Sequence, residues 1–420
     1  MRILWFTDTP SLAVSKVGMK EYSYGWISSL EEQISLNGNI QLGIAFAASN
    51  KNKFSSHKTQ YYTFSRRTWR IKVFFKRWFN LIESKSEIDD YLEIIKDFKP
   101  DLIHIFGSER SFGLIIQYTK VPVILQIQGN LSSVIRKWFL SINPIDVIRY
   151  SPFKILILGY DFLHSYLLFK KKAIRERVIL EKCKYIIGRT DWDRRIMKIH
   201  APNSAYFHCD EIIRSAFYNY KWEVNQTKSN TLISIIKPVT YKGIETILET
   251  SNLLNKIGLS DFKWKIVGVK ETDYIVRIVQ KKYRLNFSNN NIFFLGSLDE
   301  NLLIKELLSS SCYVHPSHIE NSPNSVCEAM VLGMPVIATF AGGTGSMIDN
   351  NVEGILIQDG DPYCLAGAII EILENPELAK SLGRNATNKA KLRHNPIEIS
   401  NKQVIIYNEI LKIEMNSKIK

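Results

Sequence analysis

Short apolar runs closed by turn residues alternate along the chain with stretches whose apolar positions recur every three to four residues. In the first half the runs are RILWFT, IQLGIAFA, DLIHIFG, VPVILQIQG and CKYIIGRT; in the second they are TLISIIK, FKWKIVGV, NIFFLGS, CYVHPS, PVIATFA and GILIQDG. Runs this short and this continuously apolar predict strands buried on both faces, and the helical periodicity between them predicts the helices that cover those faces. The implied fold class is α/β, with two successive parallel sheets. At 420 residues the chain exceeds the roughly 250 to 300 that one core serves, so the two sets predict two Rossmann-like domains, 1–215 and 216–396. The polar stretch YNYKWEVNQTKSN, residues 218–230, marks the join. In such sheets ligands sit beyond the carboxyl ends of the strands, so the loops that follow the runs are where chemistry is sought.

Composition narrows the class. Apolar residues make up 45% of the chain and charged residues 23%, which excludes a disordered or fibrous protein. The N-terminal MRILWFTDTP has too short an apolar stretch for a secretory signal, and the most apolar later window, ILILGYDFLHSYLLF, is interrupted by Asp161 and His164. A cytoplasmic protein without a spanning helix is expected. Cys183, Cys209, Cys312, Cys327 and Cys364 are scattered and lack metal-ligand spacing, so neither a disulfide framework nor a zinc site is expected.

Net charge is +14, and its placement matters more than its size. Residues 51–80 hold nine Lys or Arg, nine aromatics and no Asp or Glu. At helical period Ile71, Phe74, Phe75, Trp78 and Ile82 share one face, while Arg66, Arg70, Lys72, Lys76 and Arg77 fall largely on the other. A basic amphipathic helix over 66–82 suits an anionic lipid surface; a solvated basic helix packed on its own domain accounts for the same pattern, and both readings stand. The run KILILGYDFLHSYLLFKKK repeats the theme of an apolar face with a basic end. Helix-turn-helix, zinc-finger and RNP signatures are all missing from the sequence, so nucleic acid is not the expected partner.

The stretch from His315 to Gly343, HPSHIENSPNSVCEAMVLGMPVIATFAGG, concentrates the candidate chemistry. After the strand around Tyr313, Ser322 and Pro323 read as a helix N-cap and first-turn pair, and Gly333 with Pro335 as the stop. Glu320 then stands just before the helix and Glu328 inside it, among Val, Cys, Ala, Met and Leu. Burying a carboxylate there is costly without partners, and the hydroxyls of a sugar or ribose are suitable ones. The backbone N–H groups of Asn324 and Ser325 at the helix start favour an anion such as phosphate. A wet stripe of Asn324 and Glu328, four apart, is the plain structural alternative. In SIIKPVTYKG, Lys237 and Lys242 stand at another strand-to-helix junction, where cations would add to the positive helix end against a diphosphate.

Taken together, ENSPNSVCEAMVLGMPVIATFAGG resembles the signature of the family 4 glycosyltransferases, retaining enzymes of GT-B fold that use nucleotide-activated sugars. The match lies in two glutamates eight positions apart, Gly-x-Pro-Val-Ile-Ala-Thr and Gly-Gly. The resemblance covers the second half and, more weakly, the first. It implies two Rossmann-like domains whose parallel sheets face a central cleft, with residues 397–420 as a closing helix returning to the first domain. It further implies Lys237 and Lys242 on the donor diphosphate, Glu320 on the donor sugar, Glu328 on the ribose, and Leu298 in FLGSL near the base. Lys237 stands where the family typically has Arg, replacing a bidentate fork by a point charge. Ser346 stands where an acid usually follows the glycine pair. The first-strand loop, often glycine-rich, has only Gly18. Gln128 occupies the loop from which a histidine commonly reaches the donor sugar, while His104 lies inside a strand and reads as structural. GRTDWDRR resembles a segment of bacterial members that build surface polysaccharides; Asp191, Trp192 and Arg195 there suit either acceptor contact or a helix cap.

The expected function is therefore retaining transfer of a sugar from a nucleoside diphosphate sugar to an acceptor hydroxyl, in capsular, exopolysaccharide or lipopolysaccharide assembly. No metal and no cofactor beyond the donor is expected, the lysines standing in for a divalent ion. A glycan or lipid-linked acceptor is expected, with peripheral contact to the inner membrane face through 66–82. A nucleotide-sugar epimerase would share the phosphate contacts but needs acid-base groups on both faces of the sugar. A non-catalytic lipid- or nucleic-acid-binding protein would explain the charge but not Glu320 and Glu328.

Overall fold

A computed structural model describes residues 1–17, 25–56, 58–65, 78–79, 82, 85–224 and 230–419. Gly18 and most of the basic segment 66–82 lie outside the described residues; only Trp78, Phe79 and Ile82 of that segment are within them. The chain divides into two units. The first comprises Met1–Leu131, Leu168–Arg214 and His394–Lys420, the second Ser132–Leu167 and Ser215–Arg393.

The first unit is built on an eight-stranded sheet of order β3-β4-β2-β1-β5-β6-β7-β8. The strands are β1 (Arg2–Phe6), β2 (Gln41–Ala48), β3 (Asn52–Ser56), β4 (Thr59–Ser65), β5 (Leu102–Phe106), β6 (Val123–Gln126), β7 (Tyr185–Gly188) and β8 (Ala205–His208). All pairs are parallel except β3 on β4, which closes the edge as an antiparallel hairpin. The five apolar runs of the first half are β1, β2, β5, β6 and β7, buried on both faces as continuous apolar strands must be. On one face Trp5, Phe46 and Phe106 pack with Ile406, Tyr407 and Ile410 of the closing helix Pro396–Ile419. On the other face Phe6, Tyr91, Phe98 and Phe112 make edge-on aromatic contacts.

His104 belongs to this core. Its Nδ1 lies 2.7 Å from the Tyr407 hydroxyl, which also accepts from Trp5 Nε1 at 3.1 Å. Burial pushes the imidazole pKa down to about 3, so the ring stays neutral and holds the closing helix on the sheet.

Residues 52–56 and 59–65, in the basic aromatic stretch 51–80 but ahead of the helix expected over 66–82, form β3 and β4. Tyr61 and Phe64 go inward, while the edge charges Lys51 and Lys53 are taken up by Asp90, Glu93 and Asp97 of the helix Lys85–Phe98. Residues 132–167, assigned to the first domain, cluster with the second unit. Trp138 packs on Tyr241 with ring centroids 5.5 Å apart, Asp146 pairs with Lys282 at 2.7 Å, and Lys137 pairs with Asp359 at 2.9 Å.

The second unit carries a six-stranded, wholly parallel sheet of order β11-β10-β9-β12-β13-β14. Its strands are β9 (Asn230–Ile235), β10 (Phe262–Val267), β11 (Ile292–Gly296), β12 (Cys312–His315), β13 (Val336–Thr339) and β14 (Ile355–Ile357), one for each apolar run of the second half. Among the described residues no helix is long and apolar enough to cross a membrane.

Candidate functional site

Because every strand of the second sheet points the same way, the loops after β9, β12 and β13 emerge along one edge. Strand order reverses between β9 and β12, so a crevice is expected where Lys237 and Lys242 leave one strand and Glu320 leaves its neighbour.

The β9 loop turns at Lys237, whose carbonyl accepts from Val239 N–H at 2.8 Å, and enters a single tight turn, Thr240–Lys242. Gly243 follows with φ of 71°, in the left-handed region, and starts the helix Ile244–Lys256. A Cβ at this position would overlap the carbonyl oxygen of Pro316, so only glycine lets this loop meet the one after β12. The two loops are then joined by His318 N–H donating to the Tyr241 carbonyl at 3.0 Å. From the β13 side, Gly342, with φ of 60°, sits against the Glu320 carbonyl where any Cβ would overlap it, and Gly343 N–H donates to that oxygen at 3.0 Å. The Gly-Gly pair of the sequence is thus a backbone seat for Glu320.

The side chains converge accordingly. Lys242 Nζ donates to Glu320 Oε1, and His315 Nε2 lies 3.1 Å from the same oxygen. His315 Nδ1 is 3.2 Å from the Tyr313 hydroxyl, and a proton on Nε2 lets the ring donate to Glu320. Burial alone would raise the Glu320 carboxyl, but the Lys242 charge and the His315 hydrogen bond outweigh it and hold the group far below the usual carboxylate range. Glu320 is therefore a fixed negative charge whose side chain is only 12% exposed. Lys237 is exposed and, among the described residues, its ammonium joins no ion pair.

Glu328 lies within the helix Asn324–Leu332, 6% exposed amid buried Val326, Cys327, Ala329 and Met330. Tyr313 links it to the rest of the site: burial first, then the charges of Glu320 and Glu328, push its phenol well up, and its hydroxyl bonds to Ser325. Ser322 does not cap this helix. Pro323 occupies the cap position without a side-chain bond, because the Ser322 hydroxyl turns to Met347 Sδ at 3.3 Å. Gly333, at φ of 83°, stops the helix as expected. Asn324 opens it, half-buried. Leu298, half-buried after β11, follows the outer edge strand, two strands from β9.

Beside this cluster lies a second one that sequence reasoning missed. His318 is 1% exposed; its Nε2 lies 2.6 Å from Glu245 Oε1 and 3.0 Å from Ser141 Oγ, and its Nδ1 lies 3.6 Å from Asp359 Oδ2. The HPSH spacing directly after an apolar strand was the available signal for both His315 and His318. Burial would lower the His318 pKa, but Glu245, and then Asp359, outweigh it and raise it above the ordinary 6.5. A raised folded pKa stabilises the fold fully below about 6.5, and the contribution is lost as pH climbs through the folded value. Thermal unfolding from pH 6.5 to 9 should therefore fall more steeply for the native protein than for His318→Gln. Parallel pH profiles would remove the ion pair from the account.

In the first unit Gln128 is half-buried after β6 and its carbonyl accepts from Arg189 Nη2 at 3.3 Å. Asp191 is exposed in the first turn of the helix Asp191–His200, paired with Arg194 at 3.0 Å and Arg195 at 3.4 Å. The cap there is a reciprocal pair of Thr190 and Asp193, not Asp191.

Residues 219–389 match the model of the family described as glycosyl transferases group 1. The group 1 match takes in Lys237, Lys242, Glu320 and Glu328 together. An uncharacterised glycosyltransferase of Methanocaldococcus jannaschii is 31% identical over 158 residues, 37% of this chain and 39% of the relative. A capsular polysaccharide biosynthesis glycosyltransferase of Staphylococcus aureus is 23% identical over 171 residues, 41% of this chain and 44% of the relative. The chain thus spans about two fifths of the length of these relatives. Solved structures match the whole chain: sucrose-phosphate synthase of Thermosynechococcus elongatus, at TM-score 0.74 and 14% identity, covers 98% of this chain and 100% of its own. Anabaena HepE in complex with UDP-glucose, at TM-score 0.65 and 14% identity, covers 97% of this chain and 100% of its own. Two parallel-sheet α/β units in this order are the GT-B fold.

Proposed function

We propose that the chain is a retaining glycosyltransferase that moves a sugar from a nucleoside diphosphate sugar to an acceptor hydroxyl in surface-polysaccharide assembly. The observation that carries this reading is Glu320, held ionised between Lys242 and His315 at the strand-order reversal of the second sheet. As the sugar–phosphate bond breaks, negative charge grows on the diphosphate and positive charge on the ring. Lys242 keeps two N–H donors beyond the one given to Glu320, and Lys237 supplies a further mobile cation for the departing oxygens. Glu320 stabilises the electron-poor ring, while Glu328 serves the ribose, and Asn324 and Ser325 offer N–H groups to phosphate. Retention follows the family resemblance; the polysaccharide setting draws on the capsular role of the Staphylococcus aureus relative, and the donor class on the UDP-glucose of the Anabaena neighbour. The acceptor is a glycan or lipid-linked sugar, Gln128 is a sugar contact, and residues 66–82 lie on the anionic inner face of the membrane. Asp191, occupied by two arginines of its own helix, is the weakest of the acceptor candidates.

The test is incubation with a panel of nucleotide sugars and a lipid-linked oligosaccharide acceptor, read by mass. One donor should add a single hexose-type mass to the acceptor and release nucleoside diphosphate. A donor epimerised without transfer, or no turnover of any donor, would reject the proposal.

A further inference from the structure

The segment 132–167 has a surface that the transfer chemistry does not use. Its exposed large side chains are Leu140, Ile145, Ile148, Phe153, Ile157, Tyr160 and Leu167, with Phe153 77% and Ile145 70% exposed. In the short helix Pro144–Tyr150, Ile145 and Ile148 stand three apart on the outward side, while Val147 is buried. In the next, Phe153–Ile157, Phe153 and Ile157 stand four apart, and no residue of that helix is buried. Single exposed apolar residues are ordinary, but a concentration within one stretch marks an interaction surface.

The charges in the same stretch identify the partner. Its exposed charged residues are Arg136, Arg149 and Lys154, all basic. Its two acids are withdrawn from the surface. Asp146 faces Lys282 at 2.7 Å, and Asp161 is fully buried, capping the following helix through Leu163 N–H at 2.8 Å and meeting His164 Nδ1 at 2.7 Å. Apolar and aromatic side chains interspersed with cations, with every acid turned inward, match an anionic headgroup layer over an acyl boundary. A protein partner would be met by an interface core depleted in lysine and rimmed by both signs of charge. No helix of the described residues is able to span a membrane, so the segment would lie on the bilayer, not cross it.

We infer that the outward face of residues 140–157 is a membrane-docking surface for anionic lipid, carried by the second unit and additional to the segment 66–82. It does not depend on the donor chemistry, since none of its residues belongs to the Lys242–Glu320 cluster. The experiment is co-sedimentation of the full chain with phosphatidylcholine vesicles, with and without phosphatidylglycerol. Native protein should bind the anionic vesicles and be partly released by salt, which shortens the screening length below about 8 to 10 Å. The variant I145S/I148S/F153S/I157S should lose about tenfold or more in partitioning. R149Q/K154Q should lose about thirtyfold at low salt and little at high salt, as expected for two surface charges. Both should keep the native melting temperature and nucleoside diphosphate affinity, which separates this claim from the donor-site reading. Partitioning within about twofold of native in both variants would overturn the inference. So would failure of native protein to bind anionic vesicles, or a native dimer that the apolar variant splits without any change in vesicle binding.

Discussion

Replacing Glu320 by Gln is expected to lower kcat by about a hundredfold to a thousandfold, the effect of removing one preorganised electrostatic group, while leaving the fold intact. The fold should survive because the amide oxygen still accepts from Lys242 and His315 in nearly the same volume. What it cannot supply is the negative charge. In the native protein Lys242 and His315 overcome the burial that would otherwise favour the protonated acid, and so keep that charge in place. Nucleoside diphosphate affinity should change little or rise slightly, because a like charge beside the phosphates has gone. Steady-state kinetics with matched melting curves check this; turnover within threefold of native would take Glu320 out of the chemistry.

Much of the second unit was legible because its strands are unbroken apolar runs, so β9 to β14 stand out from their flanks. The edge pair β3 and β4 did not, since Lys51, Lys53 and Lys58 interrupt the apolar alternation; the charges of Lys51 and Lys53 are matched by Asp90, Glu93 and Asp97, distant in sequence. The placement of 132–167 was hidden for a related reason, as contiguity in sequence argues for the first domain while Asp146, Lys137 and Trp138 find their partners after residue 240. Within the site, Glu320 and Glu328 are conspicuous as acids in apolar company. The role of His315 emerges only when the β12 and β13 loops are folded together, and that of His318 only when Glu245, 73 residues away, arrives beside it. Ser322 misled because cap preference is local, whereas its hydroxyl is claimed by Met347 from another loop.

Lys242 carries the second large effect. Lys242→Ala should weaken nucleoside diphosphate binding by about 1.5 to 3 kcal/mol, the contribution of a hydrogen bond to a charged group, equivalent to about 10- to 150-fold in Kd. Two causes act in the same direction: the ammonium no longer meets the phosphates, and Glu320, stripped of its counter-ion, faces them as a lone negative charge. Adding Glu320→Gln to Lys242→Ala should therefore recover part of the affinity, and it also removes the unpaired buried acid that would lower the stability of the single variant. A remote structural role for Lys242 would predict no such recovery. The measurement is calorimetric titration of the nucleoside diphosphate into native protein, Lys242→Ala and the double variant, at a temperature where all three are folded. The account predicts a Kd at least about tenfold weaker for Lys242→Ala and an intermediate value for the double variant; equal affinity in all three would contradict the assignment of the Lys242–Glu320 cluster as the donor site.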